Sequence, residues 1–354
     1  MRVPLRPSHR LSAALAVATL LLATPAAAVE LPGSFNFATP AFHVNAAPGG
    51  SLLVADAGAG IVELRKDTSA LVADLPGVTD VAAVGRGNMF AVTGGGPETP
   101  PGTARLYRAS HNGSVRLVAD LRAFEETVNP DGSEIIDTNP YSVVALNGGR
   151  ALVADAGGNV LLTVSGRGAV DWVALFPEEL VSTANAKTLA GCPDAPPDFA
   201  FVCGFPDRVP AQPVPTSIAV GPDGAWYVGE LKGFPAPTGE SRIWRIAPGT
   251  LHADCATSPA CSVVADGFTS IVDLNFGPDG TLYVTEIDEA SWLAVEMGGG
   301  DGGTVNACDI ATRSCDVVSS GLPMAMSATV GGDGVLYALI RGLVPGAAEV
   351  IALE

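Results

Sequence analysis

Apolar and polar residues alternate along this chain in short runs, and pairs of runs are separated by glycine-rich reversals. The clearest pair is DLNFGPDGTLYVTEID, residues 273–288. Pro278 presets φ for the turn, Gly280 tolerates positive φ, and the flanks alternate at period two, so the phrase predicts a β-hairpin. It recurs at 217–230 as SIAVGPDGAWYVGE, more loosely around Gly50, Gly149 and Gly334, and in eroded form at 81–93 as VAAVGRGNMFAVT. Six copies of one hairpin make a repeat fold.

With Gly50, Gly87, Gly149, Gly224, Gly280 and Gly334 taken as equivalent, the spacings are 37, 62, 75, 56 and 54 residues. A four-stranded propeller blade needs about 40 residues, so the shortest spacing is a bare blade and the others carry inserts. The first unit predicts strands at 41–47, 51–56, 61–65 and 69–74. The sixth unit ends after its third strand, 348–354, while a spare strand-like segment, 31–37, precedes the first. The expected fold is all-β: a six-bladed β-propeller of four-stranded antiparallel blades, closed by pairing of 31–37 with 348–354, which leaves no open edge.

The N-terminus is set apart from this pattern. Arg2, Arg6 and Arg10 precede an apolar run and the small-residue site Ala26-Ala27-Ala28, which predicts a signal peptide over 1–28 and a single propeller domain over 29–354. Export, to a periplasm or beyond the cell, also suits the six cysteines. They fall in close pairs, Cys192 with Cys203, Cys255 with Cys261 and Cys308 with Cys315, and local disulfides are the simplest of the 15 possible pairings. Losing three arginines and no acid takes the net charge from −18 to −21. So acidic a chain argues against nucleic acid or an anionic membrane as partner, and no later stretch is long and apolar enough to span a bilayer.

Strand order sorts the loops onto two rims. The first-to-second-strand turns share one rim; the other owns the long inserts at 122–139, 176–213 and 288–303, the second with a predicted short helix near 178–186. This loop-rich rim is the expected face for a small-molecule or protein partner. Two polar rings approach it. Six residues after the turn glycine come Asp56, Thr93, Asp155, Glu230, Glu286 and Ile340; seven before it come His43, Asp80, Ser142, Ser217, Asp273 and Ser327. Carboxylates that end strands commonly accept backbone N–H groups of the next turn, and their recurrence favours that structural role for the first ring. The second ring is the candidate ligand site, joined by Asn139 and Tyr141, and Asp80 with Asp273 could hold a Ca²⁺ ion through oxygen. No Gly-x-Ser-x-Gly, HExxH or βαβ glycine loop occurs, so the chain offers no local support for serine hydrolase, zincin or phosphate-cradle chemistry.

The phrases NPYSVVALNGGRALVADAGGN (139–159), PVPTSIAVGPDGAWYVGELKGFPAPTGESRIWRI (213–246) and GFTSIVDLNFGPDGTLYVTEI (267–287) resemble the ScyD/ScyE family of exported proteins. That resemblance implies an NHL-like six-bladed propeller associated with pigment biosynthesis, and it carries no catalytic residue across. A more distant likeness is to the calcium-dependent lactonase propellers, whose metal-binding Asn and Asp lie eight residues before the turn glycine. Here that offset holds Phe42, Thr79, Tyr141, Thr216, Val272 and Met326. None is an Asn or a carboxylate.

Overall fold

In the computed structural model, residues 29–30, 37–38, 40–65, 68–97, 99 and 102–353 are described; the predicted signal peptide lies outside them. They form six four-stranded antiparallel sheets, each running from an inner to an outer strand. Blade one comprises Ala41–Ala47, Ser51–Asp56, Gly60–Arg65 and Thr68–Asp74. The inner strands of blades two to six are Val78–Ala83, Pro140–Leu146, Pro215–Val220, Ile271–Phe276 and Ser327–Val330. Each packs beside the next, and the sixth beside the first, so the ring is closed.

All six turn glycines take positive φ, from 73° at Gly149 to 89° at Gly280. A side chain there would be strained, which is why the reversal keeps glycine while its neighbours drift. Second strands such as Ser51–Asp56 are buried along their whole length, because each face of a blade packs on a neighbouring blade. The core is accordingly divided into six layers, one per blade interface. Leu53 with Val81 and Met89 fills the first; Val44 and Leu52 with Met326 and Leu339 fills the last. Burying one such aliphatic side chain is worth about 1.5–3 kcal/mol, so the ring is held chiefly by these layers.

Closure uses the N-terminal segment, though at a different place from the expected one. Residues 29–30 (Val29–Glu30) pair antiparallel with Glu349–Leu353, in the register Val29 to Ala352 and Glu30 to Ile351. Of the predicted strand, 31–36 lie outside the described residues, and Phe37 is buried in the layer between blades six and one without belonging to a strand. The predicted helix near 178–186 is also displaced. Glu179–Ser182 pairs with Arg208–Ala211, with Val181 buried and Leu180 exposed as strand alternation requires, and the helix follows at Ala184–Ala190.

All three local disulfides are formed. Cys308 and Cys315 face each other across the third and outer strands of blade five. Cys255 follows a two-residue strand, Ala253–Asp254, that leaves blade four and pairs in parallel with the outer strand of blade three, Val170–Leu175. Its bridge to Cys261 therefore fastens a hand-over between neighbouring blades.

A chain lacking Val29 and Glu30 exposes the edge of Glu349–Leu353. Thermal scanning is expected to show a melting temperature lower by several degrees, at roughly 2–4 °C per kcal/mol for domains approaching this size, with more aggregation by light scattering. An unchanged melting curve would contradict closure by this pair.

Candidate functional site: the channel mouth and the loop-rich rim

The inner strands of blades one to five share a defect that positions the candidate residues. In each, the pairing with the second strand slips by one residue, leaving Phe42, Thr79, Tyr141, Thr216 or Val272 unpaired. A bulge of this kind bends the strand and re-aims the side chains beside it. The residue that follows is the ring position: His43, Asp80, Ser142, Ser217 or Asp273.

Asp80 and Asp273 use their re-aimed carboxylates to tie blades together, and the two ties are equivalent. Asp80 Oδ2 accepts from Ser142 Oγ at 3.0 Å and Val143 N at 2.7 Å, both on blade three. Asp273 Oδ2 accepts from Ser327 Oγ at 2.8 Å and Ala328 N at 3.0 Å, both on blade six. Bulged threonines add a parallel set. Thr79 Oγ1 donates to Pro140 O at 2.8 Å, and Thr216 Oγ1 to Ile271 O at 2.6 Å.

The remaining ring members are less fully engaged. Asp80 Oδ1 is filled by Asn45 Nδ2 and its neighbour Val81 N. His43 donates from Nδ1 to Thr79 O at 2.8 Å, which fixes the tautomer. Its Nε2 is then buried without a hydrogen-bond partner, 3.9 Å from Asp273 Oδ1. Ser217 Oγ is also buried without a partner. Tyr141 stands edge-on to His43, with ring centroids 5.1 Å apart, and to Phe42, at 5.7 Å. Burial, with the Asp273 and Asp80 charges behind it, holds the Tyr141 hydroxyl well above the ordinary phenol range. Burial likewise pushes Asp273 up to about 6, against the favourable His43 contact and its hydrogen bonds. The structure thus brings His43, Asp80, Tyr141, Ser142 and Asp273 into one neighbourhood. Asn139 instead acts as a fastener: its side-chain oxygen accepts from Gly95 N at 3.0 Å and its N–H donates to Asp155.

The outer carboxylate ring is spent on the fold. Asp56 accepts from Ala38, Gly58 and Ala59 N–H groups, and Asp155 from Thr138 Oγ1, Asn139 N and Gly158 N. Glu286 takes Thr269 N, Thr304 Oγ1 and Asn306 Nδ2. Glu230 is fully buried against Trp244 Nε1 and Lys232 Nζ, the latter at 2.7 Å.

Lys232 carries the link from this ring to the rim. It is wholly buried, takes a φ of 63°, and also meets Glu179 at 2.6 Å. A buried lysine is tolerated only when paired, and here the pairing docks the 176–213 insert onto blade four. Asn185 completes the assembly by donating to Ala236 O, Ala290 O and Ser291 Oγ. One side chain thereby joins three separate inserts. Trp292 Nε1 adds a bond to Lys232 O at 2.8 Å.

On this knitted platform the apolar groups face outward. Phe201, Phe205 and Phe234 form a mutual aromatic cluster with centroid separations of 5.8–6.5 Å. Phe201 is 60% exposed and Phe234 40%, with Phe199 and Leu180 exposed nearby in the chain. Leu231 and Trp292 pack, as Phe42 does, on the buried cluster that includes Met326. A cleft of about 410 Å³ lies elsewhere, on the outer strand of blade four around Val263–Phe268; it reaches Glu286 of the outer ring and none of the inner-ring residues.

Solved structures similar to this one are propellers. A gluconolactonase of Xanthomonas campestris is 12% identical, with a TM-score of 0.55 over 90% of this chain and 88% of its own. A putative glucose dehydrogenase of Thermus thermophilus is 15% identical, with a TM-score of 0.56 over 92% and 99%. A streptogramin B lyase is 12% identical, with a TM-score of 0.51 over 92% and 87%. The likeness is one of fold. No protein-family model matches the sequence, and no curated protein matches it.

Asp273 makes stability depend on pH in a calculable direction. In the native chain it keeps its proton up to about pH 6, whereas the unfolded side chain releases it near 3.8. Between those values the native state binds more protons, so this group's contribution to stability falls as pH rises through that window. Denaturant midpoints from pH 4 to 7 are expected to fall more steeply for the wild type than for Asp273→Asn. Parallel curves would contradict the assignment.

Proposed function

We propose that this chain is an exported β-propeller that binds a ligand or protein partner on its loop-rich rim. The observation that carries the reading is the pair of exposed rings Phe201 and Phe234, clustered on the half-buried Phe205, on a platform fixed by a disulfide, a buried ion-pair network and Asn185. Exposed contiguous aromatics are disfavoured on an idle surface and are the side chains that dominate binding. Three disulfides fit an oxidising, exported setting, in agreement with the signal peptide expected over 1–28. The phrases shared with ScyD/ScyE proteins favour a task beside the biosynthesis of a pigment or another secondary metabolite, which would give the aromatic patch an aromatic ligand.

A second reading is a hydrolase or lactonase of the channel, with Ca²⁺ at Asp80 and Asp273. It draws support from the unpartnered His43 Nε2 and Ser217 Oγ and from the enzymes among the structural likenesses. Against it, Asp80 is already met by four donors, and the offset that carries metal ligands in the lactonase propellers here bears Phe42, Tyr141 and Met326.

The readings separate in one experiment. Thermal shifts with a panel of aromatic small molecules, indole and naphthol derivatives among them, are expected to be positive for the wild type and lost in Phe201→Ser/Phe234→Ser. The free protein's stability should change by only about 0.5 kcal/mol, as for exposed substitutions. Turnover of lactone or ester substrates that disappears in His43→Gln, with binding indifferent to the phenylalanines, would overturn the proposal in favour of the enzyme.

A further inference from the structure

The mouth of the axial channel holds two acceptors that face each other across a gap. His43 donates from Nδ1 to Thr79 O at 2.8 Å, so its neutral ring presents Nε2 as an acceptor, and that atom is buried without a partner. Opposite it, at 3.9 Å, is Asp273 Oδ1. The hydrogen bonds that tie Asp273 to blade six both end on Oδ2, which leaves Oδ1 for another donor. At 3.9 Å the two atoms are too far apart to bond each other. One nitrogen at about 2.8 Å from each could donate to both.

Aromatic rings stand beside this gap. Tyr141 belongs to blade three, yet it touches Phe42 and His43 of blade one with blade two in between, so its ring reaches across the channel mouth. The Tyr141 and Phe42 planes meet at 72°, which makes a two-walled aromatic corner next to His43. Two residues farther along the inner strands, Asn275 Nδ2 donates to Asn45 Oδ1 at 3.5 Å and links blades five and one. Asn45 is itself fixed by donating to Asp80 Oδ1 at 2.8 Å. This bond narrows the channel below the gap.

Charge selects what suits the gap. Asp273 is 4% exposed, and among the described residues no Lys or Arg pairs with it; the basic side chain near it is His43. A buried carboxylate without a cation is costly. Water would satisfy the two acceptors and leave the charge unmet. A calcium ion takes about six to eight oxygen ligands, whereas Asp80 is already met by four donors and no metal-holding group of His, Cys, Asp or Glu occurs among the described residues. An ammonium group meets every demand at once. It has N–H bonds for both acceptors, it neutralises the carboxylate, and aromatic rings attract it. The net charge of −18 raises the concentration of cations around the chain.

We propose that Phe42, His43, Tyr141 and Asp273 form a binding site for a primary amine, whose ammonium group donates to Asp273 Oδ1 and His43 Nε2 with the aromatic corner beside it. The site is separate from the phenylalanines of the rim, and it differs from a calcium site in both ligand and donors. Two hydrogens must be given, so a quaternary ammonium is excluded.

The test is calorimetric titration of the full chain with benzylamine at neutral pH, with thermal shift as a second readout. One saturable site is expected, with a melting temperature that rises with benzylamine concentration. Benzyl alcohol, which lacks the charge, and benzyltrimethylammonium, which lacks the N–H groups, should each bind more weakly by about tenfold or more. Asp273→Asn keeps an oxygen for the tie to Ser327 and Ala328 and removes the charge; it should weaken benzylamine by about tenfold or more. Tyr141→Leu leaves the ties untouched and should weaken it by about threefold or more. Near-ultraviolet circular dichroism checks that both variants are folded. Phe201→Ser/Phe234→Ser should bind benzylamine as the wild type does, which separates this site from the rim. Absence of benzylamine binding, whether or not Ca²⁺ raises the melting temperature, would overturn the proposal. So would equal binding of benzyl alcohol, binding that survives both channel variants, or binding lost in the rim variant instead.

Discussion

The structure depends on a carboxylate of one blade accepting hydrogen bonds from the inner strand of the next. Asp80 reaches Ser142 and Val143, and Asp273 reaches Ser327 and Ala328, in the same geometry. Apolar layers supply most of the energy of the ring, but they are non-directional and would tolerate sliding of one blade against another. Charge-assisted hydrogen bonds fix direction as well as distance. Placed at the axis, two such ties and the threonine bonds beside them set the angle between blades where a small error would be magnified at the rim.

That rigidity is what the loop-rich rim is built upon. The 176–213 insert has few residues that could fold alone; its buried cluster is small, with Ala186, Ala190 and Val202 at its centre. It is held instead by attachments: Lys232 between Glu179 and Glu230, Asn185 across three loops, and the bridge from Cys192 to Cys203. Phe205 packs on that small cluster, and the polar and covalent fastenings leave Phe201 and Phe234 at the surface beside it.

Much of this is legible in the sequence. Turn glycines at equivalent offsets mark the blades because glycine takes the φ of 73–89° found there without strain, and the offsets place Asp80 and Asp273 in one ring. The bulge at Phe42, Thr79, Tyr141, Thr216 and Val272 was not legible, since a single inserted residue has no period of its own. Nor was Lys232: a lysine in a proline-rich loop reads as solvated, and only the two glutamates that meet it in three dimensions make its burial tolerable. The closing strand at Val29–Glu30 is two residues long, too short for alternation to register, whereas the segment after it is long enough to read as a strand.

The central claim is that the inner ring is coupled machinery of the fold rather than a set of independent ligands. A double-mutant cycle on Asp80→Asn and Ser142→Ala, read by denaturant unfolding, tests it most directly. The account predicts a coupling energy of about 1–3 kcal/mol, as for a buried hydrogen bond to a charged group. Stabilities that add to within about 0.3–0.5 kcal/mol, as for sites that do not touch, would contradict it.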